Sequence, residues 1–205
     1  MEIIIARHGE TTENKKKHLS GNSNTAQLTE EGKKHAQVLK SFFRDLDLVI
    51  SSPLDRAMET AKPVAEKFGL NVVSDDLLRE FDFGDLDGKS EEGEAKEDLF
   101  RRREDLNFKF PKGESYNDVL ARVDLFLKSL LPKKHKKVLI VSHAGVCRAL
   151  LVRLTKEGKQ KIKDMDKIRS SNSRLYLVNS VSGSCSWIDP FTRQKGKGLL
   201  WREDV

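Results

Sequence analysis

The sequence predicts an α/β chain in three layers, with a mostly parallel central sheet flanked by helices. Three observations predict it. Strand-like and helix-like patterns alternate along the chain; the segments IIIA (3–6) and VLIV (138–141) are continuously apolar, as strands covered on both faces are; and the intervening segments carry apolar stripes at helical spacing. A length of 205 residues suits one domain over 1–205, with a lid or insert at about 85–112, where the chain turns acidic and glycine-broken.

Taken in order, Glu2 to Ala6 reads as the first strand. Thr29 then caps a helix whose apolar positions are Ala36, Leu39, Phe42 and Phe43. Leu46 to Ser51 is the second strand. Ser52-Pro53 offers an N-cap and a first helical residue for the stripe Ala57, Ala61, Val64, Ala65 and Phe68, and Gly69 supplies a left-handed stop. Leu70 to Val73 is a short third strand. Ser115 caps a long helix with Val119, Val123, Phe126, Leu127 and Leu130 inward, ended by Pro132. Val138 to Ser142 is the fourth strand, and Gly145 onward begins another helix. Two alternating runs, Arg174 to Asn179 and Ser184 to Asp189, read as a late hairpin.

Composition narrows the function classes. No apolar run approaches the roughly 20 residues needed to cross a bilayer, so no membrane span is expected. The start lacks a basic n-region and a cleavage site, so the cytoplasm is the expected compartment, with Cys147 and Cys185 reduced. A net charge of +6 mildly favours anionic partners. Acidic residues are interspersed and no aromatic stripe accompanies the basic runs, Arg101-Arg102-Arg103 among them. These runs read as solvated surface, and nucleic acid is not an expected partner. His18, His35 and His135 likewise read as surface residues.

In open α/β sheets ligands bind beyond the carboxyl ends of the strands. The first strand ends in Arg7-His8-Gly9, the second leads to Arg56, and the fourth ends in Ser142-His143-Ala144-Gly145. Two guanidinium and two imidazole groups at one rim repel each other unless a compact anion lies between them, and phosphate fits best. The helix starting beside Gly145 adds free backbone N–H groups, with Ala144 among the expected phosphate-binding residues. A histidine beside phosphate either attacks phosphorus as a neutral imidazole or donates to a phosphoryl oxygen. Flanking cations assign the first role to His8 and leave the second to His143. Departure of an alkoxide also needs a carboxylic acid, and Glu80, just after the third strand, is the candidate.

These residues resemble the histidine phosphatase superfamily, in its phosphoglycerate mutase-like branch. The resemblance rests on RHGETTEN (7–14), LTEEG (28–32), SSPLDRAMETA (51–61), LREFDFGDLDG (78–88), PKGESYNDVLARV (111–123) and VSHAGVCRALL (141–151), in the family's order, spanning about 145 residues. It implies that His8 is the phosphorylated nucleophile, that Arg7, Arg56 and His143 hold the phosphoryl group, and that Glu80 is the acid and base. It further implies phosphate binding by Asn14 and substrate contact at Ser20-Gly21. Thr25-Ala26-Gln27-Leu28 departs from the family's Asp-x-Pro-Leu, and Arg101-Arg102, which resembles an Arg-Arg pair of the mutases, lies about 21 residues after Glu80 in a shortened region and is given no binding role.

Other motifs carry less. Asp82-Phe83-Gly84 spells a kinase signature without its companions. Phe83 to Glu94 nearly spells a calcium loop but has Phe83 at the first ligand position. Cys147, one turn into a helix, reads as a packed thiol. No metal and no cofactor are expected, since arginines can neutralise the phosphate. The expected activity is hydrolysis of small phosphorylated metabolites, with Lys15 to Gln27 and Lys89 to Lys109 as specificity loops. A phosphoglycerate mutase is the alternative. The segment between Gly88 and Pro111 is short and charged where a mutase needs longer cover, which favours hydrolysis. A non-catalytic module binding phosphorylated ligands or nucleic acid is the reading from another class.

Overall fold

The computed structural model describes residues 1–202. Its centre is a seven-stranded sheet. Strands β1 (Glu2–Arg7), β2 (Leu48–Ser51), β3 (Val72–Ser74), β4 (Lys137–Ser142), β5 (Leu175–Asn179), β6 (Cys185–Ile188) and β7 (Lys195–Lys197) lie in the order β3-β2-β4-β1-β5-β6-β7. The first four in that order pair in parallel and the last three pair antiparallel. The sheet is therefore mixed where a mostly parallel one is expected. The late hairpin docks on β1 and extends the sheet, and β7 adds an edge of only three residues, too short and too charged to stand out in sequence.

Alternate residues of the buried strands face two separate cores. Ile3, Ile5, Val138 and Ile140 meet one side; Ile4, Ala6, Leu139 and Val141 meet the other. The first core is closed by helices α5 (Tyr116–Leu130) and α6 (Ala144–Leu154). The second is closed by α2 (Glu30–Phe42) and α3 (Asp55–Lys67). This is why IIIA and VLIV are apolar at every position.

Local chemistry sets most helix ends as expected. Thr29 Oγ1 accepts the Gly32 N–H and starts α2; Ser115 and Asp118 form a reciprocal cap on α5; Gly69, at φ 64°, follows α3. The start of α3 differs. Ser52 Oγ accepts the Leu54 N–H two residues on, and the helix begins at Asp55, past Pro53. Three further helices fill stretches without an apolar stripe: α1 (Thr12–Lys16), α4 (Glu94–Glu104) within the expected insert, and α7 (Lys156–Gln160).

Two residues read as surface are buried. His35 is 4% exposed because Phe191, from the turn after β6, lies with its ring 5.0 Å away. Arg102 is 6% exposed, its guanidinium 4.8 Å over the Tyr116 ring and paired with Asp166. Among the described residues, no helix is long and apolar enough to cross a membrane.

Candidate active site

Strand register brings the expected residues to one rim. Arg7 pairs with Ser142 across β1 and β4, and Ser51 with Val141 across β2 and β4. His8 N–H then donates to Ser142 O at 2.8 Å, and Ser52 N–H to Val141 O at 3.0 Å. Residues 8 and 143 thus leave neighbouring strands at the same level, and their rings lie 5.0 Å apart. A cavity of about 200 Å³ opens here, lined by Arg7, His8, Asn14, Arg56 and Glu80, with Ser20, Gly21 and Ala144 also in its wall.

The loop after β1 is fixed by close backbone packing. A Cβ on Gly9 would stand 2.5 Å from Gly32 O, and one on Gly32 would stand 2.2 Å from Glu10 O, so the loop and α2 touch only as glycines. Gly9 N–H donates to Thr60 Oγ1 at 3.0 Å, and Thr60 Oγ1–H donates to Arg56 O at 2.7 Å. One turn of α3 therefore ties the backbone beside His8 to the residue that carries Arg56.

Within this frame His8 Nδ1 lies 2.7 Å from Gly9 O. A carbonyl oxygen only accepts, so Nδ1 carries the proton and Nε2 keeps its lone pair. His143 is the converse. Arg56 Nε–H donates to His143 Nδ1 at 3.2 Å, which leaves the proton on Nε2, where it donates to Ser52 Oγ at 2.8 Å. His143 is fully buried and does not line the cavity. The sequence suggests direct donation from this ring to a phosphoryl oxygen; in the structure its two nitrogens meet Arg56 and Ser52.

The arginines are held without being fully occupied. Arg56, 1% exposed, donates from Nη1 to Ser23 O and from Nη2 to Gly21 O, both at 2.7 Å, and Gly21 meets it at φ 37°. Arg7 donates from Nη1 to Ser170 O at 3.2 Å, while its buried Nε has no partner among the described residues. Asn14 sits in a reciprocal cap with Thr11, its Oδ1 accepting the Thr11 N–H, which leaves its amide N–H₂ free of that contact.

Glu80 is clamped from both ends. Oε1 accepts the Phe81 N–H at 2.9 Å, and Oε2 accepts the Gly145 N–H at the start of α6 at 3.3 Å. The α6 terminus expected to face an anion directly thus holds the carboxylate at Gly145. A Cβ on Gly145 would meet Glu80 Oε1 at 2.9 Å, so glycine there is what permits the approach. Behind Glu80, Arg122 donates to Leu77 O at 2.6 Å and Glu80 O at 3.2 Å, and it pairs with Glu114 at 3.0 Å.

Burial dominates the electrostatics. It pushes His8 well below the usual imidazole range, reinforced by Arg7 and then Arg56; it does the same to His143, with Arg56 the next cause. Both rings are neutral. Burial also brings Arg56 down to about 10, which keeps it cationic at neutral pH. The Cys147 thiol is pushed up to about 12 by burial and lies 3.6 Å from Ala6 O, as a packed group. Among the described residues, no three His, Cys, Asp or Glu side chains gather so as to hold a metal ion.

Sequence reasoning missed Thr60, Ser52, Arg122 and Glu114. The one available signal was the four-residue spacing of Arg56 and Thr60, which stacks them on one helix face.

Comparison with known proteins agrees with this geometry. A family model described as histidine phosphatase superfamily (branch 1) matches residues 3–187. The 2,3-bisphosphoglycerate-dependent phosphoglycerate mutase of Parvibaculum lavamentivorans is 31% identical over 175 residues, covering 78% of this chain and 82% of that one. Among solved structures, the alpha-ribazole phosphatase of Shigella flexneri is similar with a TM-score of 0.73 and 28% identity, over 98% of this chain and 96% of that one. The fold is also that of a mycobacterial glucosyl-3-phosphoglycerate phosphatase, with a TM-score of 0.75 and 24% identity over 98% and 99% of the two chains. With an imidazole and two arginines in one cavity wall beyond the ends of parallel strands, and with the family's sequence pattern over nearly its whole length, the chain belongs to the histidine phosphatase superfamily.

Proposed function

We propose that the protein is a phosphomonoesterase that hydrolyses small phosphate monoesters through a phosphohistidine on His8, without a metal ion. The observation that carries this reading is the His8 tautomer: Nδ1–H is held by Gly9 O, and the Nε2 lone pair belongs to a ring lining a cavity with Arg7, Arg56 and Glu80. In the first step Nε2 bonds to phosphorus, the ester P–O bond breaks, and Glu80 as a carboxylic acid gives its proton to the leaving oxygen. In the second, Glu80 takes a proton from water, the water oxygen bonds to phosphorus, and the N–P bond breaks to release inorganic phosphate.

Arg7 and Arg56 neutralise charge on the transferring group, while Asn14, Ser20, Gly21 and Ala144 bind the phosphate and the nearby substrate atoms. His143 acts through Arg56. A cavity of about 200 Å³ suits a small phosphorylated metabolite. Two free thiols suit the reducing cytoplasm.

The test is direct. The wild type, mixed with a monoester and quenched in alkali, should yield phosphohistidine at residue 8 by mass spectrometry, and His8→Ala should yield neither label nor turnover. Turnover surviving His8→Ala would overturn the mechanism. Activity should persist in excess chelator; activity restored only by added metal would remove the metal-free claim. Phosphoglycerate mutation is the second reading, favoured by the Parvibaculum relative. Interconversion of 2- and 3-phosphoglycerate faster than phosphate release would select it.

A further inference from the structure

Six charged residues of the cavity wall take no part in the chemistry above: Glu91, Arg102, Arg103, Arg148, Asp166 and Arg202. Asp166 is the hub. It accepts the Tyr116 hydroxyl, pairs with Arg148 Nη1 at 3.0 Å and Arg102 Nη2 at 3.3 Å, and has Arg103 Nε at 3.8 Å. One carboxylate is thus set against three guanidinium groups before Arg202 is counted. Arg102 is fixed by its aromatic neighbours and keeps a buried Nε without a partner among the described residues. Arg7 and Arg202 also line an adjoining groove of about 580 Å³, which Arg169 and Arg174 line as well.

Arg202 is built in by its backbone. Its N–H donates to Lys167 O at 2.7 Å, Arg169 N–H donates to Leu200 O at 2.8 Å, and the Trp201 indole N–H donates to Glu157 at 2.5 Å. The segment it docks on also receives Arg148, whose Nε donates to Ile168 O at 3.0 Å. The family match ends at residue 187, so Arg202 comes from a part of the chain that the family pattern does not reach. This crowding of like charge is costly. Arg202 is exposed at the rim, and partial burial of its guanidinium, then Arg148 and Arg103, hold it below its usual value, with Asp166 opposing.

We propose that Arg103, Arg148 and Arg202, supported by Arg102 and Asp166, form a second anion site, and that the preferred substrates carry a second phosphate besides the one transferred to His8. The proposal rests on the phosphomonoesterase reading for its reaction but on its own residues for its specificity. Guanidinium forks match phosphate oxygens, and the excess of the four guanidinium groups over the two carboxylates, Asp166 and Glu91, suits a dianion better than a carboxylate.

The experiment compares matched esters: glucose 1-phosphate with glucose 1,6-bisphosphate, and glycerol 3-phosphate with 3-phosphoglycerate. The wild type should favour the bisphosphate in kcat/KM by about tenfold or more, the worth of one charge-assisted contact to phosphate, chiefly through KM. Arg202→Gln and Arg103→Gln should each lower that preference severalfold, and added salt should shrink it. A preference for 3-phosphoglycerate alone would overturn the phosphate assignment, and a preference near one, or unchanged in both variants, would overturn the site. Calorimetric binding of the same esters to His8→Ala reads the site without turnover. Tighter bisphosphate binding there, with no hydrolysis by the wild type, would refute the phosphatase reading and keep the second site.

Discussion

Gly145→Ala separates the positioning of Glu80 from everything else at the site. The added methyl would lie 2.9 Å from Glu80 Oε1 and 3.3 Å from Phe81 Cδ2. Phe81 is fully buried against Phe83, Phe110 and Tyr116 and has nowhere to go, so the carboxylate must move. Folding is affected from two opposing sides. Alanine in a helix gains up to about 1 kcal/mol over glycine. Weakening the 3.3 Å contact from Gly145 N–H to the carboxylate loses roughly 1–3 kcal/mol. Net stability should change by no more than about 2 kcal/mol.

Activity should change far more, since a reacting group displaced by about 1 Å costs on the order of a hundredfold. The assay is single-turnover formation of phosphohistidine from an alkyl monoester and from p-nitrophenyl phosphate. Only the alkoxide needs a proton as it leaves. The alkyl ester should slow about a hundredfold and the aryl ester by a few-fold at most. Equal slowing of the two, or unchanged alkyl transfer, would refute the role given to Glu80 and to the glycine beside it.

Thr60→Val leaves the buried Gly9 N–H without its acceptor and should cost about 1–3 kcal/mol in urea unfolding, with a lower kcat because the backbone beside His8 loosens. Arg56→Lys should lower kcat/KM at least about a hundredfold, since a lysine cannot hold His143, Ser23 and Gly21 together while facing a phosphate. His8 and His143 are held neutral below the ordinary 6.5, and His35 is held down to about 4 by burial, so the unfolded chain takes up protons first as pH falls. The urea midpoint should therefore drop between about pH 6.5 and 5, and a flat midpoint there would contradict the burial of these rings. Histidine ¹⁵N spectra should show the proton of residue 8 on Nδ1 and that of residue 143 on Nε2.

Much of this was legible because the signals were local. Continuous apolar runs marked β1 and β4, and Thr29 and Ser115 marked helix starts by their own side chains. Basic residues stood at strand ends, where register collects them. What escaped depends on partners distant in the chain. Arg102 and His35 carry charge or polarity in exposed-looking runs, and each is covered by residues far away in sequence, Asp166 and Phe191. The charged run of α4 has no stripe to announce it, and β7 forms only because β6 offers an edge. Ser52 looked like a cap but is claimed by Leu54 N–H and His143 instead.

The two histidines show where sequence symmetry ends. Each follows a parallel strand, sits at the same level as the other, and is neutral for the same reason, burial beside arginine. Their difference comes from one contact apiece. His8 Nδ1 meets an acceptor, the Gly9 carbonyl, so its ring turns a lone pair to the cavity; His143 Nδ1 meets a donor, Arg56 Nε–H, so its ring turns an N–H to Ser52. Neither contact is available to the other ring, because Gly9 is bent toward Thr60 and Gly32 while Ala144 begins a helix. The backbone after each strand, loop in one case and helix in the other, therefore decides which imidazole keeps its Nε2 lone pair and which carries a proton there.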